Sequence, residues 1–507
     1  MERRTENTAI ITAPEILRSV VRVQNPRLGS RRTSLSLAPL PSSSCLRRGE
    51  MSRLRLLPAL FLFVEVVSLS PAVRASVATS LALAQQAPPA PSSLSAPAPA
   101  VAPAPVPSPR ITKYTLPPDR YKKARNFGKI HFRFELISFV YGLLVLWLIL
   151  RWKLSAKYRT LAENKSSKRF VQALVFSPLL VLTIGIFELP TGIYQKWVSR
   201  QYGLSVQGWG SWLWDWTKGE LISIIISTIL IWLLYAAIRK SPGRWWFYFW
   251  LVALPIGLAL FFLRPLVIDP LFHKFEPLQR KDPALAASLE RTAQRCGLNI
   301  APERMFWMQA SEKTTAIEAY VTGFGASKRI VVFDTAIAKA TTPEIVFVAA
   351  HEMGHYVLGH IPKFLAFGAV FLFVLFYLGF RTIGWVLARW RAKWEVRGLD
   401  DWASLPALLL LFSILSFLAT PIVNAYSRHI EHQADQYGLE VTHGLTPDSS
   451  QVVAQAFCLY GDVNLSDPGP NPVDVFLFYD HPPVPDRVQF ALTYNPWSHG
   501  RSGQFVK

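Results

Sequence analysis

Six stretches of the chain, at 136–150, 170–187, 221–238, 245–263, 364–380 and 402–423, are apolar and free of charged residues. Each approaches the roughly 20 residues that an α-helix needs to cross a bilayer core, the first by borrowing flanking aromatics. In lipid a lone apolar segment satisfies its own backbone hydrogen bonds only as a helix. The expected fold is therefore mainly α, a multi-spanning helical membrane protein. Composition agrees: 51% of the 507 residues are hydrophobic, 17% are charged and the mean hydropathy is +0.24, more apolar surface than soluble cores bury. The net charge of +21 does not indicate a nucleic-acid partner. Its Lys and Arg lie in short clusters beside the apolar runs, the pattern that sets orientation against membrane lipid. Cys45, Cys296 and Cys458 are far apart, which excludes a disulfide framework and a cysteine zinc site.

The chain divides along these lines. Residues 1–50, with nine Arg, four Glu and many Ser, read as a disordered or presequence-like extension. Residues 51–84 carry Arg53 and Arg55 before an apolar run and Ala82-Leu83-Ala84 at their end, the form of a signal peptide or an anchor. Nine prolines among Ala and Ser make 85–110 an extended linker. Four transmembrane helices follow within 130–266. Residues 267–360 form the first part of a mixed domain outside the membrane spans, with a helix at 283–296 and strands at 304–309, 320–322 and 329–334. Two more transmembrane helices occupy 361–426, and 427–507 completes the domain.

The chemistry is concentrated in His351-Glu352-Met353-Gly354-His355. Thr341 and Glu344 have the spacing of a capping box and Pro343 suits a first helical turn, so the pentapeptide sits further along the same helix. At 3.6 residues per turn His351 and His355 stack on one face and can grip a single Zn²⁺. Glu352, beside the first histidine, is placed to take a proton from a water that the metal activates. A catalytic zinc needs a third protein ligand. After the last span, Glu431 and Asp435 stand four residues apart on one helical face, so that one can bind the metal while the other orients a histidine; His429 and His432 are rival ligands. The first ligand helix is expected to run through His360 into the fifth span, and the second to continue from the sixth. The zinc then lies at the membrane surface or between helices, and its substrates are peptides or membrane proteins. A nine-residue step should point His360 away from the stacked pair.

At these residues the sequence resembles the type I CAAX prenyl endopeptidases, integral-membrane zinc metalloproteases related to the HtpX-like proteases. The resemblance rests on HEMGHYVLGH (351–360), SRHIEHQAD (427–435), DPLFHKFEPL (269–278), TGFGASKRIVVFDT (322–335) and HPPVPDR (481–487), which come in the family's order. It implies a zincin-type domain with a small β-sheet, one Zn²⁺ per chain held by His351, His355 and Glu431, and Glu352 as general base. Asp435 is then the carboxylate behind a ligand. His481, otherwise a residue of a rigid turn with a solvated Arg487, becomes a donor to the oxyanion of the attacked peptide. The resemblance also implies that substrate lies along the strand at Glu318, Ala319 and Tyr320. The family usually has asparagine where this chain has Glu318, and a carboxylate there lacks the amide donor. The expected function is hydrolysis of peptide bonds in membrane-associated or misfolded proteins. The alternative is a non-catalytic membrane chaperone or transport gate that keeps a structural zinc, which has no need of Glu352. The signal-like start points to a bacterial inner membrane.

Overall fold

The computed structural model describes residues 110–506 apart from 324. The presequence-like extension, the signal or anchor segment and the linker up to residue 109 lie outside the described residues. Helix α1 (Pro118–Arg151) leads through the short α2 (Leu154–Lys165) to α3 (Arg169–Gln201), α4 (Trp209–Lys240) and α5 (Trp245–Leu263). A π turn at Arg264–Ile268, where Pro265 removes a backbone donor, carries α5 on to Phe272. The second part comprises β1 (Phe275–Pro277), α6 (Pro283–Arg295), β2 (Met305–Met308), β3 (Ala319–Thr322), β4 (Arg329–Phe333) and α7 (Thr342–Val357). Two long helices follow, α8 (His360–Trp394) and α9 (Leu405–Thr442), then α10 (Ser449–Val463), α11 (Pro472–Phe478) and α12 (Val484–Thr493). Among the described residues six helices are long and apolar enough to cross a membrane: α1, α3, α4, α5, α8 and α9.

Most of these helices outrun their apolar stretches. α9 passes through Pro421 and continues as one helix into the polar turns that hold Glu431 and Asp435. Ile149, Leu180, Tyr235, Trp245, Phe376 and Trp402 pack the bundle interior. A separate core, built from Leu289, Met305, Val331, Val346 and Met353, joins the sheet to α6 and α7. The sheet has the order β1-β2-β4-β3, with β2 and β4 parallel and the outer pairs antiparallel. β3 is therefore an edge strand. β1 was not expected from the sequence, because three residues containing Pro277 carry no alternating pattern.

The expectation for the first ligand helix fails. α7 does not run through His360 but ends at Val357, and α8 restarts at His360 after Gly359 at φ +65°. The left-handed conformation suits glycine, and the chain turns a corner there.

Candidate metal centre

The Glu344 carboxylate accepts from the Thr341 N–H at 2.6 Å and from its hydroxyl at 2.9 Å, and so fixes the start of α7 as the capping box requires. The third and fourth turns then present His351 and His355 on one face, their Nε2 atoms 3.3 Å apart. α9 crosses this face. Glu431 Oε2 lies 3.2 Å from His351 Nε2, and Glu431 Oε1 lies 3.6 Å from His355 Nε2. Ligand atoms of the three residues all fall within 4.8 Å of one another.

The arrangement fits a zinc ion on three counts. Two imidazoles and a carboxylate are a catalytic zinc donor set with a position to spare. At a Zn–N distance of about 2.0–2.1 Å, tetrahedral ligands stand about 3.3 Å apart, as the two ring nitrogens do. Finally, Glu431 Oε2 is buried, and although the Nε2 atoms of His351 and His481 each stand 3.2 Å away, neither meets it in hydrogen-bonding geometry, an unmet acceptor that a cation would satisfy.

The surrounding groups hold these three in place. His351 Nδ1 is 2.8 Å from Asp435 Oδ1. Asp435 is in turn gripped by Arg487, with Nε to Oδ2 at 2.8 Å and Nη2 to Oδ1 at 2.5 Å. Arg487 is thus a buried partner and not the solvated side chain expected from the sequence. Burial pushes the His351 imidazole down, but Asp435 and Glu431 outweigh it and hold the ring up to about 9, a measure of how anionic its surroundings are. His360 is also placed otherwise than expected. Because the helix breaks at Gly359, its ring folds back to put Nδ1 3.2 Å from His355 Nδ1, while its Nε2 meets Gln433 at 3.0 Å. His429 and His432 stay out of the cluster: His429 meets Gln433, and His432 packs on the Phe490 ring.

A chamber of about 470 Å³ opens beside the cluster, bounded by α1, α7, α8, α9, α10 and the turn after α11. Glu352 and His481 both line it. His481 Nε2 is 3.2 Å from Glu431 Oε2, and Nδ1 is 2.9 Å from Asp480. Glu318 and Ala319 line it too, while Tyr320 packs its ring near Phe333. Glu318 O accepts from Phe333 N at 3.0 Å, so alternation turns the Ala319 and Val321 peptide groups away from β4. Val321 O takes the Tyr356 hydroxyl at 2.9 Å. Ala319 is left as the rung that faces the chamber.

The sequence profile described as CAAX prenyl protease N-terminal, five membrane helices, matches residues 104–274, and that of Peptidase family M48 matches 279–495. The metalloprotease YhfN of Bacillus subtilis is 37% identical over 338 residues, 66% of this chain and 77% of its own. The chain belongs to peptidase family M48. CAAX prenyl protease 1 of Saccharomyces cerevisiae is 25% identical over 414 residues, covering 76% of this chain and 88% of its own. The crystal structure of S. mikatae Ste24p has the same fold, with a TM-score of 0.64, 23% identity, and coverage of 86% of this chain and 99% of that one. This M48 chain is an integral-membrane metalloendopeptidase, a multi-pass protein whose family implies a metal in the site.

From the sequence Arg487 was given no role at the site, and Asp480, Gln433 and Tyr356 were missed. Asp480 had a signal, its adjacency to His481. Asp435 offered another, since a buried carboxylate behind a ligand needs a cation of its own. Nothing local marks Gln433 or Tyr356.

Proposed function

We propose that His351, His355 and Glu431 hold one Zn²⁺ and that the metalloprotease domain, assembled from 267–360 and 427–507 around the membrane helices of 361–426, cuts peptides inside the chamber. When bound, the zinc supplies Lewis acidity and lowers the pKa of a nearby water. Glu352 accepts the proton of the attacking water and returns it to the leaving amine. His481 donates to the carbonyl oxygen as it becomes negative, and Asp480 orients the ring. Asp435 fixes the tautomer of His351 so that Nε2 is free to bind. The peptide lies extended along β3 and pairs with Ala319, with Glu318 and Tyr320 flanking it.

The observation that carries this reading is the convergence of three donors, His351 and Glu431 buried and His355 half-buried, on the wall of a chamber that Glu352 also lines. The membrane helices around that chamber favour membrane-associated or partly unfolded proteins as substrates. The 37% identical bacterial relative supports a bacterial inner membrane. A structural zinc in a chaperone or gate accounts less well for Glu352, which a purely structural site does not use.

The test uses purified protein and an unstructured fluorogenic peptide. A chelator should abolish hydrolysis, about one equivalent of Zn²⁺ should restore it, and His351→Ala should neither retain zinc nor respond to it. Hydrolysis that persists in the metal-stripped protein would sink the proposal.

A further inference from the structure

The chain is strongly basic, yet its chamber is acidic. Of the described residues that line it, seven are Asp or Glu, one is Arg and none is Lys. Most of these carboxylates have a task already. Glu318 and Glu352 stand at the metal centre, Glu344 caps α7, Asp480 holds His481, and Asp467 is paired with Arg125 at 2.8 Å. The one guanidinium, Arg487, is committed to Asp435. Glu135 on α1 and Asp474 on α11 remain.

Both are almost completely buried, with 3% and 6% of their surface exposed. Glu135 Oε1 has no hydrogen-bonded partner; the ring of His131, one helical turn earlier, stops 3.6 Å short. Asn464, 4% exposed, also lines the chamber and leaves its Oδ1 unpartnered. Burial, and after it the charge of Asp467, pushes the Asp474 carboxyl up to about 6. Three oxygen-bearing side chains thus line the same chamber, and two of them leave a buried acceptor unmet. Unmet acceptors in a buried position are costly, and a ligand that donates to them recovers that cost.

We propose that Glu135, Asp474 and Asn464 form a recognition subsite for the ammonium or guanidinium group of a Lys or Arg side chain in the bound peptide, so that the enzyme selects substrates with a basic residue at a set distance from the cut. Phe139 and Phe417, stacked at 3.9 Å, lie in the same wall and suit the apolar stem of such a side chain. The inference deepens the peptidase reading and rests on it for the identity of the ligand as a peptide.

The test measures binding, which does not depend on turnover. Zinc-loaded Glu352→Gln protein is titrated with two labelled peptides that differ only in Lys against Gln, the position being scanned along the peptide. At one position the Lys peptide should bind about tenfold more tightly, as a charge-assisted hydrogen bond to a buried carboxylate predicts. Glu135→Gln and Asp474→Asn, each added to that background, should bring the ratio of the two affinities to near one. The inference is overturned by equal affinities at every position. It is overturned also by variants that weaken both peptides alike, which makes the acids structural, or by a Ca²⁺ or Mg²⁺ titration that saturates the acids while the peptides remain unselected. If the Lys preference appears and responds to the variants but wild-type protein cleaves neither peptide, the subsite stands and the peptidase reading fails.

Discussion

Glu318 shows how far a single residue departs from what its letter suggests. Its carboxylate was expected to bring negative charge to the substrate strand, but burial and, next, the charge of Glu352 push it up to about 8. Below that pH it is neutral and donates an O–H, much as the asparagine of the family it resembles donates an N–H. As pH rises through about 8 the donor is lost. The kcat/KM of the wild type should therefore fall over that interval, and Glu318→Gln should abolish this limb of the pH–rate profile; a limb that survives the substitution belongs to another group. Arg487 gives a second prediction. Removing it strands a buried carboxylate, so Arg487→Met should cost about 3–5 kcal/mol of stability by denaturant unfolding. It should also weaken zinc about 10- to 100-fold in a competition titration. His351 and His355 were legible because helical spacing alone brings them together. Arg487 was not, because its partner lies 52 residues away on another helix and no local pattern joins them.

The metal centre depends at the level of elements on how closely α7 and α9 cross. Glycines set that distance. A Cβ on Gly438 would stand 3.1 Å from the His351 backbone nitrogen, and one on Gly354 would stand 2.9 Å from the Tyr437 ring. Gly438→Ala meets backbone and cannot be relieved by a rotamer change, so it should cost about 1–3 kcal/mol and spread the ligand helices. Zinc affinity should fall in step, measured by chelator competition; unchanged affinity would mean that the crossing has slack. The six spans were readable because a long uncharged apolar run has few alternatives. The capping box of α7 was readable as well, since its two partners are three residues apart. The break at Gly359 was harder to see, as a single glycine between apolar turns is compatible with a continuous helix. Only the observed left-handed backbone decides it.

For the whole molecule the question is which end of the bundle faces the cytoplasm. The segments 151–169, 239–244 and 381–397 carry seven, three and five Lys or Arg. The structure gathers all three at one end: Arg159 meets Asp401 at 2.6 Å, Arg397 meets Glu163 at 2.9 Å, and Arg239 donates to Asp400 O at 2.8 Å. From Leu405 at that end, α9 climbs about 40 Å before it reaches Glu431. Eight basic residues within 110–133 lie at the metal end, but Arg110, Arg120 and Arg125 are paired with Asp448, Asp462 and Asp467. The positive-inside rule then favours basic loops in the cytoplasm and a metal centre on the outer face. A reporter that works only in the cytoplasm, fused after Lys507, should be silent; activity there would reverse the topology. Orientation aside, the central proposal is that Glu352 serves as the base beside a zinc ion that it does not bind, within the membrane chamber. Measuring zinc content and peptide turnover on one sample of Glu352→Gln tests this most directly. About one zinc per chain with turnover lowered at least about 100-fold is expected, whereas full zinc occupancy with wild-type turnover would contradict the role given to Glu352.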